Sequence, residues 1–366
     1  MYKCKLGELI TQRREKNPGG NLPICGVTKE GFIPPKQQDA DTSIYNVFYM
    51  NDFVFNPARM ELNSIVYNDQ YEKAICSSLY EIFYVSRPDL ILPAYLGLWV
   101  KRDVFTRYCE FLGSGSAREY CRVANISEME IEFPDLDVQK RVVEQNNALK
   151  NRIDILKKIN DNLESTLGTL YHEFFTCNPS DDLPTGWSVS CFSDIATVIM
   201  GQSPDGDDCN NDGIGEPLLN GPTEFGFYSP TPVQWTTNGK KRCKEGDLLF
   251  CVRGSTTGRM NWANQPYAIG RGLAAIRHKT NTNLNWFIKS IVDNSMQEIL
   301  AASTGSTFPN VGKDLLNGFQ IVIPDDASLK KFENQGYVIS QLISKNAHEM
   351  EILSKLQQTL LSKLSI

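Results

Sequence analysis

Four stretches of the 366-residue chain carry residue types and spacings that could do chemistry. FLGSG at 111–115 has the F-x-G-x-G spacing with which methyltransferases cradle S-adenosylmethionine. That cradle requires a strand before it and a helix opening after it. The corresponding stretch of the second half, LAASTG at 300–305, lacks the pattern, and no N-P-P-Y or D-P-P-Y string follows; the nearest are NPAR (56–59) and IPPK (33–36). PDL (88–90) and PDLD (134–137) could open a magnesium-dependent nuclease site, which needs a second carboxylate two residues before a lysine. No lysine in the chain has Asp or Glu at that position. RGSTTGR (253–259) resembles a phosphate cradle but lacks the G-K-[ST] ending, leaving a structural turn or a basic, hydroxyl-bearing DNA contact. The three histidines (172, 278, 348) lie far from any close cysteine pair and build neither a zinc set nor a nucleophilic triad. The expectation is a non-catalytic chain that holds no metal and no cofactor of its own.

The elements that must position any site are set by a repeat. Gly115-Ser116 falls on Gly305-Ser306, Ile131 on Ile321 and Pro134 on Pro324, all at an offset of 190. From Val142 an apolar seam runs through Asn146, Leu149, Ile153, Leu156, Asn160, Leu163, Leu167, Leu170 and Phe174 in alternating steps of four and three. This is a heptad pattern. Adding 190 gives Phe332, Gly336, Ile339, Ile343, Asn346, Met350, Leu353, Gln357, Leu360 and Leu364, without a gap. Each half therefore ends in one long helix of roughly 50–60 Å. Asn146, Asn160, Asn346 and Gln357 are polar seam positions of the kind that fix register and partner in coiled coils. The seam leaves open whether the helices pair within one chain or between chains.

Upstream, YMNDFVFNPAR (49–59) echoes KEGDLLFCVRG (244–254), and KLGELITQRREKN (5–17) echoes CFSDIATVIMGQS (191–203). Short β-branched and aromatic runs between Gly, Pro and Asn turns predict a mixed α/β (α+β) fold in both halves. The layout read from this is a globular domain over 1–136, a helix over 137–175, a turn-rich connector over 176–182, a second domain over 183–327 and a second helix over 328–366.

Composition bounds the function. Hydrophobic residues are 41% and charged residues 22%, a soluble balance with no apolar run of membrane-spanning length. The N-terminal stretch lacks the apolar core of a signal peptide. Ten cysteines without a C-x-x-C pair point to reduced thiols and a cytoplasmic protein. The net charge of −6 argues against a free-standing nucleic-acid binder, because non-specific affinity comes from phosphate neutralisation.

LPTGWSVSCFSDIATVIMGQSP (183–204), EGDLLFCVRGST (245–256) and STGSTFPNVGKDLLNGFQIVIP (303–324), followed by the heptad helix, resemble in order and spacing a target recognition domain and conserved helical region. The family is that of the specificity subunits of type I restriction–modification systems. The first half resembles it more weakly, lacking LP-x-G-W. The resemblance implies a subunit with no catalytic role. Each globular domain would read one half of a bipartite double-stranded DNA site, and two long antiparallel helices would set the gap. Two methyltransferase subunits would dock on the helices, and restriction translocase subunits could join. S-adenosylmethionine, ATP and magnesium would belong to those partners. Half-site centres about one helical turn apart fit such a dimer-like reader. A coiled-coil adaptor with protein- or RNA-binding ends, and the remnant of a fused restriction–methylation enzyme, are the competing readings.

Base readout in the major groove favours Arg or Lys on guanine and Asn or Gln on adenine. In domain 1 this selects Arg13, Arg14 and Lys16 of RREK, taken as a solvated helix face or a DNA contact, together with Arg59 and Arg118. In domain 2 it selects Gln202, Lys240, Lys241, Arg253, Arg259 and Arg271. Outward helix positions around Lys150, Arg152, Lys157 and Lys158 and around Lys345, Glu349 and Lys355 form either the partner surface or a plain solvated face.

Overall fold

A computed structural model describes residues 1–35, 41–113, 120–175, 177–304 and 309–363. It divides into two compact units, residues 1–153 with 352–366, and residues 154–351. The boundary cuts both long helices, so each unit contains a globular head and a section of each helix.

The first head contains β1 (Tyr2–Lys5), β2 (Ile10–Arg13), β3 (Ile24–Thr28), β4 (Gly31–Ile33), β5 (Asn46–Tyr49), β6 (Phe53–Phe55), β7 (Ile65–Tyr67), β8 (Lys73–Cys76), β9 (Glu81–Val85) and β10 (Glu130–Phe133). Its helices are α1 (Pro93–Trp99), α2 (Asp103–Gly113) and α3 (Val123–Ser127), and α4 (Leu136–Phe174) follows. Two four-stranded sheets form, in the orders β2-β9-β6-β7 and β4-β3-β8-β5, beside the pair β1-β10. The core lies between the first sheet and helices α1 and α2, where Phe53, Phe55, Phe83, Tyr95, Trp99 and Phe105 are at most 2% exposed.

The second head contains β11 (Ser188–Cys191), α5 (Phe192–Ile195), β12 (Ala196–Met200), β13 (Cys209–Asn210), β14 (Glu216–Leu219), β15 (Gln234–Thr236), β16 (Leu248–Cys251), β17 (Met260–Trp262), β18 (Ala268–Ile269) and β19 (Leu273–His278). Helices α6 (Asn285–Asn294), α7 (Met296–Ala301) and α8 (Lys313–Gly318), strand β20 (Gln320–Ile323) and helix α9 (Asp326–Ser362) complete it. Its sheets are β12-β19-β16-β17, β13-β15-β14-β18 and β11-β20. The first of these repeats β2-β9-β6-β7 strand for strand, and each second sheet contains one parallel pair, β3 with β8 and β14 with β18. The offset is 190 between β10 and β20 and between α4 and α9, but 186 between β1 and β11 and 195 between β6 and β16. The repeat is therefore strict at the helices and elastic in the heads, which is why upstream identities are sparse.

In each unit the first and last strands of the head pair with each other, Tyr2 opposite Phe133 and Ser188 opposite Ile323. Pro134 and Pro324 close these strands, but the residues that start the helices are the next ones. Asp135 Oδ1 accepts the Val138 amide at 3.0 Å, and Asp325 Oδ1 accepts the Ala327 and Ser328 amides at 2.9 and 3.0 Å. These are N-cap interactions that satisfy orphan helix donors. Helix α4 is tied to its head by Gln139, fully buried, which donates to the Leu90 and Pro134 carbonyls and accepts the Leu92 amide. Helix α9 is tied by Trp187, whose indole N–H donates to Asp325 Oδ2 at 2.8 Å. The LPTGW turn exists to deliver that indole: Trp187 N–H bonds the Pro184 carbonyl and Gly186 takes φ +87°. The first half does without the motif because Gln139 does the anchoring there.

Within each unit the helices run antiparallel. Asn146 meets Gln357 in one, and Asn160 meets Ile343 and Asn346 in the other. Among described seam residues none is exposed; Ile153, Leu156, Leu167, Phe332, Ile343 and Met350 are buried, and Leu149, Leu163, Ile339 and Leu353 are half-buried. No helix among the described residues is long and apolar enough to cross a membrane, and all ten cysteines are unpaired thiols.

Candidate nucleic-acid interface

Strand directions bring the basic loops of each head to one end of its first sheet. In the second unit Met200 ends β12 opposite Ala274, Cys251 ends β16 opposite Leu273, and Met260 opens β17 opposite Phe250. Gln202, Arg253, Arg259 and Arg271 lie just beyond these ends, all exposed. The loops that carry them are bonded backbone to backbone: the Gln202 amide to the Ile269 carbonyl at 2.9 Å, and the Val252 amide to the Gly272 carbonyl at 3.0 Å. They pack too closely for side chains. A Cβ on Gly201 would sit 2.1 Å from the Gly270 carbonyl oxygen, and one on Gly272 would sit 2.4 Å from that of Asn220. The candidate side chains therefore project from a fixed platform. Lys241 joins it, since its carbonyl accepts the Ile269 amide at 2.9 Å.

Two carboxamides at this platform were not legible as candidates. Asn220 follows β14, and its Nδ2 donates to Gln234 Oε1 at 2.6 Å. Asn and Gln are the residue types that read adenine. The only local signal is the Asn-Gly-Pro turn after a strand, and the partner lies fourteen residues away.

In the first unit the equivalent sheet end carries Arg14 and Arg59, both exposed and without an ion pair among the described residues. Arg59 and Asn56 line a cleft of about 450 Å³ with Tyr45, Ser77 and Tyr80. Glu81 also stands at this end, and it holds Arg122 at 2.7 Å and Gln12 at 2.5 Å.

Three of the basic candidates have partners within the chain. Arg13 belongs to strand β2, not to a helix face. Its Nε and Nη2 donate to Asp52 at 2.6 and 3.1 Å, and its guanidinium lies 4.8 Å from the ring centroids of both Tyr49 and Tyr84. Lys16 donates to the Ile44 carbonyl and to Asn46 Oδ1. Lys240 lies 3.7 Å from Asp205. Arg118 is outside the described residues. The counterpart of Asp52 is Asp247, in the equivalent turn before β16; both are 1% exposed. Asp247 is held by Arg277 of β19, so the same buried acid is matched by arginines from neighbouring strands. Burial pushes both carboxyls up despite their arginine partners.

Two stretches that resembled cofactor sites lie in other local structure, with Ser114 and Gly115 outside the described residues. Phe111–Gly113 closes helix α2, so no strand precedes the glycine pattern. RGSTTGR is a turn with Gly254 and Gly258 at φ +88° and +93°. Thr257 spends its hydroxyl on the Gly254 and Pro309 carbonyls, at 2.8 and 3.0 Å. Among the described residues no group of His, Cys, Asp and Glu gathers as a metal set.

The helices carry a second apolar face besides the seam. Taking Asn146 and Asn160 as heptad position a, Ile155 and Ile159 occupy c and g, as do Val338 and Leu342 in the same unit and Ile352 and Leu356 in the other. These six are between 40% and 59% exposed.

The sequence profile described as "Type I restriction modification DNA specificity domain" matches twice, over residues 7–165 and 184–359. A putative type I restriction enzyme MjaX specificity subunit of Methanocaldococcus jannaschii is 27% identical over 251 residues, 65% of this chain and 59% of that protein. The type I restriction enzyme MjaIX specificity subunit of the same organism is 22% identical over 297 residues, 75% of this chain and 69% of the relative. The solved S subunit of a type I restriction-modification system from M. genitalium shares the fold, with a TM-score of 0.57 at 13% identity, covering 100% of this chain and 96% of that one.

Proposed function

Because the chain belongs to the type I restriction–modification DNA specificity family, we propose that it is the non-catalytic DNA-recognition subunit of such a complex. The observation that carries this reading is the double match: one profile fits each half separately, across a head and its helix. Each head reads one half of a bipartite duplex site through the end of its first sheet. Arg14, Arg59 and Asn56 serve the first half-site. Gln202, Asn220, Lys241, Arg253, Arg259 and Arg271 serve the second. The platforms differ in residue type, so the half-sites differ in sequence.

The net charge of −6 fits a reader that leaves phosphate neutralisation to partners. Methyltransferase subunits dock on the helices, and the exposed apolar residues at c and g supply the uncharged surface that a protein interface core requires. Those partners bring S-adenosylmethionine, and restriction translocase subunits bring ATP and magnesium chemistry. The complex works in the cytoplasm, in keeping with ten unpaired thiols.

Co-expression with a partner methyltransferase, followed by single-molecule sequencing of methylated adenines, tests the reading. A bipartite motif is expected, and replacing residues 1–136 by the corresponding part of a relative should change one half only. No methylation and no co-purifying partner would refute it.

A further inference from the structure

The two helices differ in one respect that the repeat makes visible: their buried polar residues do not fall at equivalent places. In the second unit Asn160 donates to the Ile343 carbonyl at 3.1 Å and accepts from Asn346 Nδ2 at 2.8 Å. In the first, Asn146 Oδ1 accepts from Gln357 Nε2 at 2.9 Å. Asn146 and Asn160 are 5% and 7% exposed. At an offset of 190, Asn160 maps onto Met350 and Asn346 onto Leu156, each apolar residue 2% exposed. Asn146 maps onto Gly336 and Gln357 onto Leu167, and a Cβ on Gly336 would lie 3.6 Å from Leu167 Cδ2. Every polar seam residue of one helix thus corresponds to an apolar seam residue of the other.

We propose that this asymmetry makes the seam of each helix a surface for the other helix of the chain and rejects a second copy of itself. Pairing two α4 helices with the same layer spacing sets Asn160 against Leu156 of the copy and Asn146 against Leu167. Pairing two α9 helices sets Asn346 against Met350 and Gln357 against Gly336. In each case a seam carboxamide, buried in α4 and half-buried in α9, loses its partner, which is the costly half of hydrogen-bond energetics. Only α4 against α9 joins polar to polar and apolar to apolar, and a polar seam residue is an established determinant of coiled-coil partner choice. Resting on the DNA-reading function above, the device guarantees one head of each kind per assembly. The site is then composed of two unlike halves, never a palindrome of one.

The test uses the full chain without DNA, so its outcome is separate from that of the recognition reading. Wild type is expected to have the mass of one chain by light scattering and to capture no untagged copy when co-expressed with a tagged one. The variant Leu156→Asn/Leu167→Gln/Asn346→Leu/Gln357→Leu moves the carboxamides of both layers onto α4. It mismatches α4 with α9 and matches α4 with its own copy. Its mass should double, and tagged chains should capture untagged ones. A second variant, Asn146→Leu/Asn160→Leu/Asn346→Leu/Gln357→Leu, removes the discrimination while keeping an apolar seam. It should melt cooperatively and contain both monomer and dimer. A self-pairing wild type refutes the proposal. So does a monomeric first variant that melts cooperatively; if that variant does not fold, a wholly monomeric second variant refutes it.

Discussion

Replacing Asp247 by alanine should be among the most damaging single changes in the second head. Its carboxylate is 2% exposed at the side chain, accepts the Lys244 amide at 2.8 Å, and faces an Arg277 side chain that is 13% exposed. Arg277 Nε is already buried without a partner, so removing the acid leaves the cation without its counter-charge. Breaking a buried ion pair from one side costs about 3–5 kcal/mol. At about 2–4 °C per kcal/mol for a body of this size, the transition should fall by roughly 6–20 °C. Asp52→Ala in the first head should cost less, about 1–3 kcal/mol, because Arg13 is 25% exposed and rests on two tyrosine rings where water can reach it. The double change Asp247→Leu/Arg277→Met should recover most of the loss, since burial works against the charged pair as well as for it. Calorimetry and urea titration of the full chain measure all three. A loss below about 1 kcal/mol for Asp247→Ala, or a double variant as unstable as the single, would refute the argument.

Further expectations can be checked directly. Gly201→Ala forces a Cβ onto the Gly270 carbonyl and should both destabilise the second head, by about 2 kcal/mol or more, and abolish readout of its half-site, seen in melting and methylation maps. Arg253→Ala should weaken recognition of one half-site by about 10- to 100-fold, leaving the other half unchanged in a competition binding assay of the assembled complex. Hydrogen bonds from the Ser328 amide and hydroxyl and the Trp187 indole hold Asp325 at about 2, below its ordinary value. The cap's contribution is therefore complete above about pH 4 and lost as pH falls toward 2. Trp187→Phe removes one donor and should move acid unfolding, followed by circular dichroism, to higher pH. Inserting one heptad into each helix should lengthen the unspecified gap in the methylated motif and leave both half-sites intact.

The long helices were readable because a seam with a 3.5-residue period depends only on neighbours in sequence, and it survives the 190-residue shift intact. What fixes the helices to the heads was not readable in the same way. Trp187 and Asp325 are 138 positions apart, and Gln139 reaches back 49 residues to Leu90. Each helix is capped by the aspartate that follows the repeated proline, Asp135 in one half and Asp325 in the other. RREK misled for a related reason. Four polar residues in a row suggest a solvated face, but Arg13 ends a strand and its acid lies 39 residues onward. The neighbouring candidates show the limit: Arg13 meets an acid 39 residues onward, whereas Arg14 beside it is exposed and has no ion pair among the described residues.

Each head enters and leaves through one pair of adjacent strands, β1 with β10 and β11 with β20. Between those strands lie well over a hundred residues, yet the chain passes from head to helix through two backbones at the spacing of a single ladder, with side-chain ties such as Gln139 to Leu90 and Asn281 to Glu333 beside it. The head is a cassette with a standard plug. Its interior can gain or lose residues, as the drift from 186 to 195 already records, without altering the strand that hands the chain to the helix. A head exchanged at the plug would still have to supply the partners that the helices hold outside it, Leu90 for Gln139 in one unit and Asn281 for Glu333 in the other.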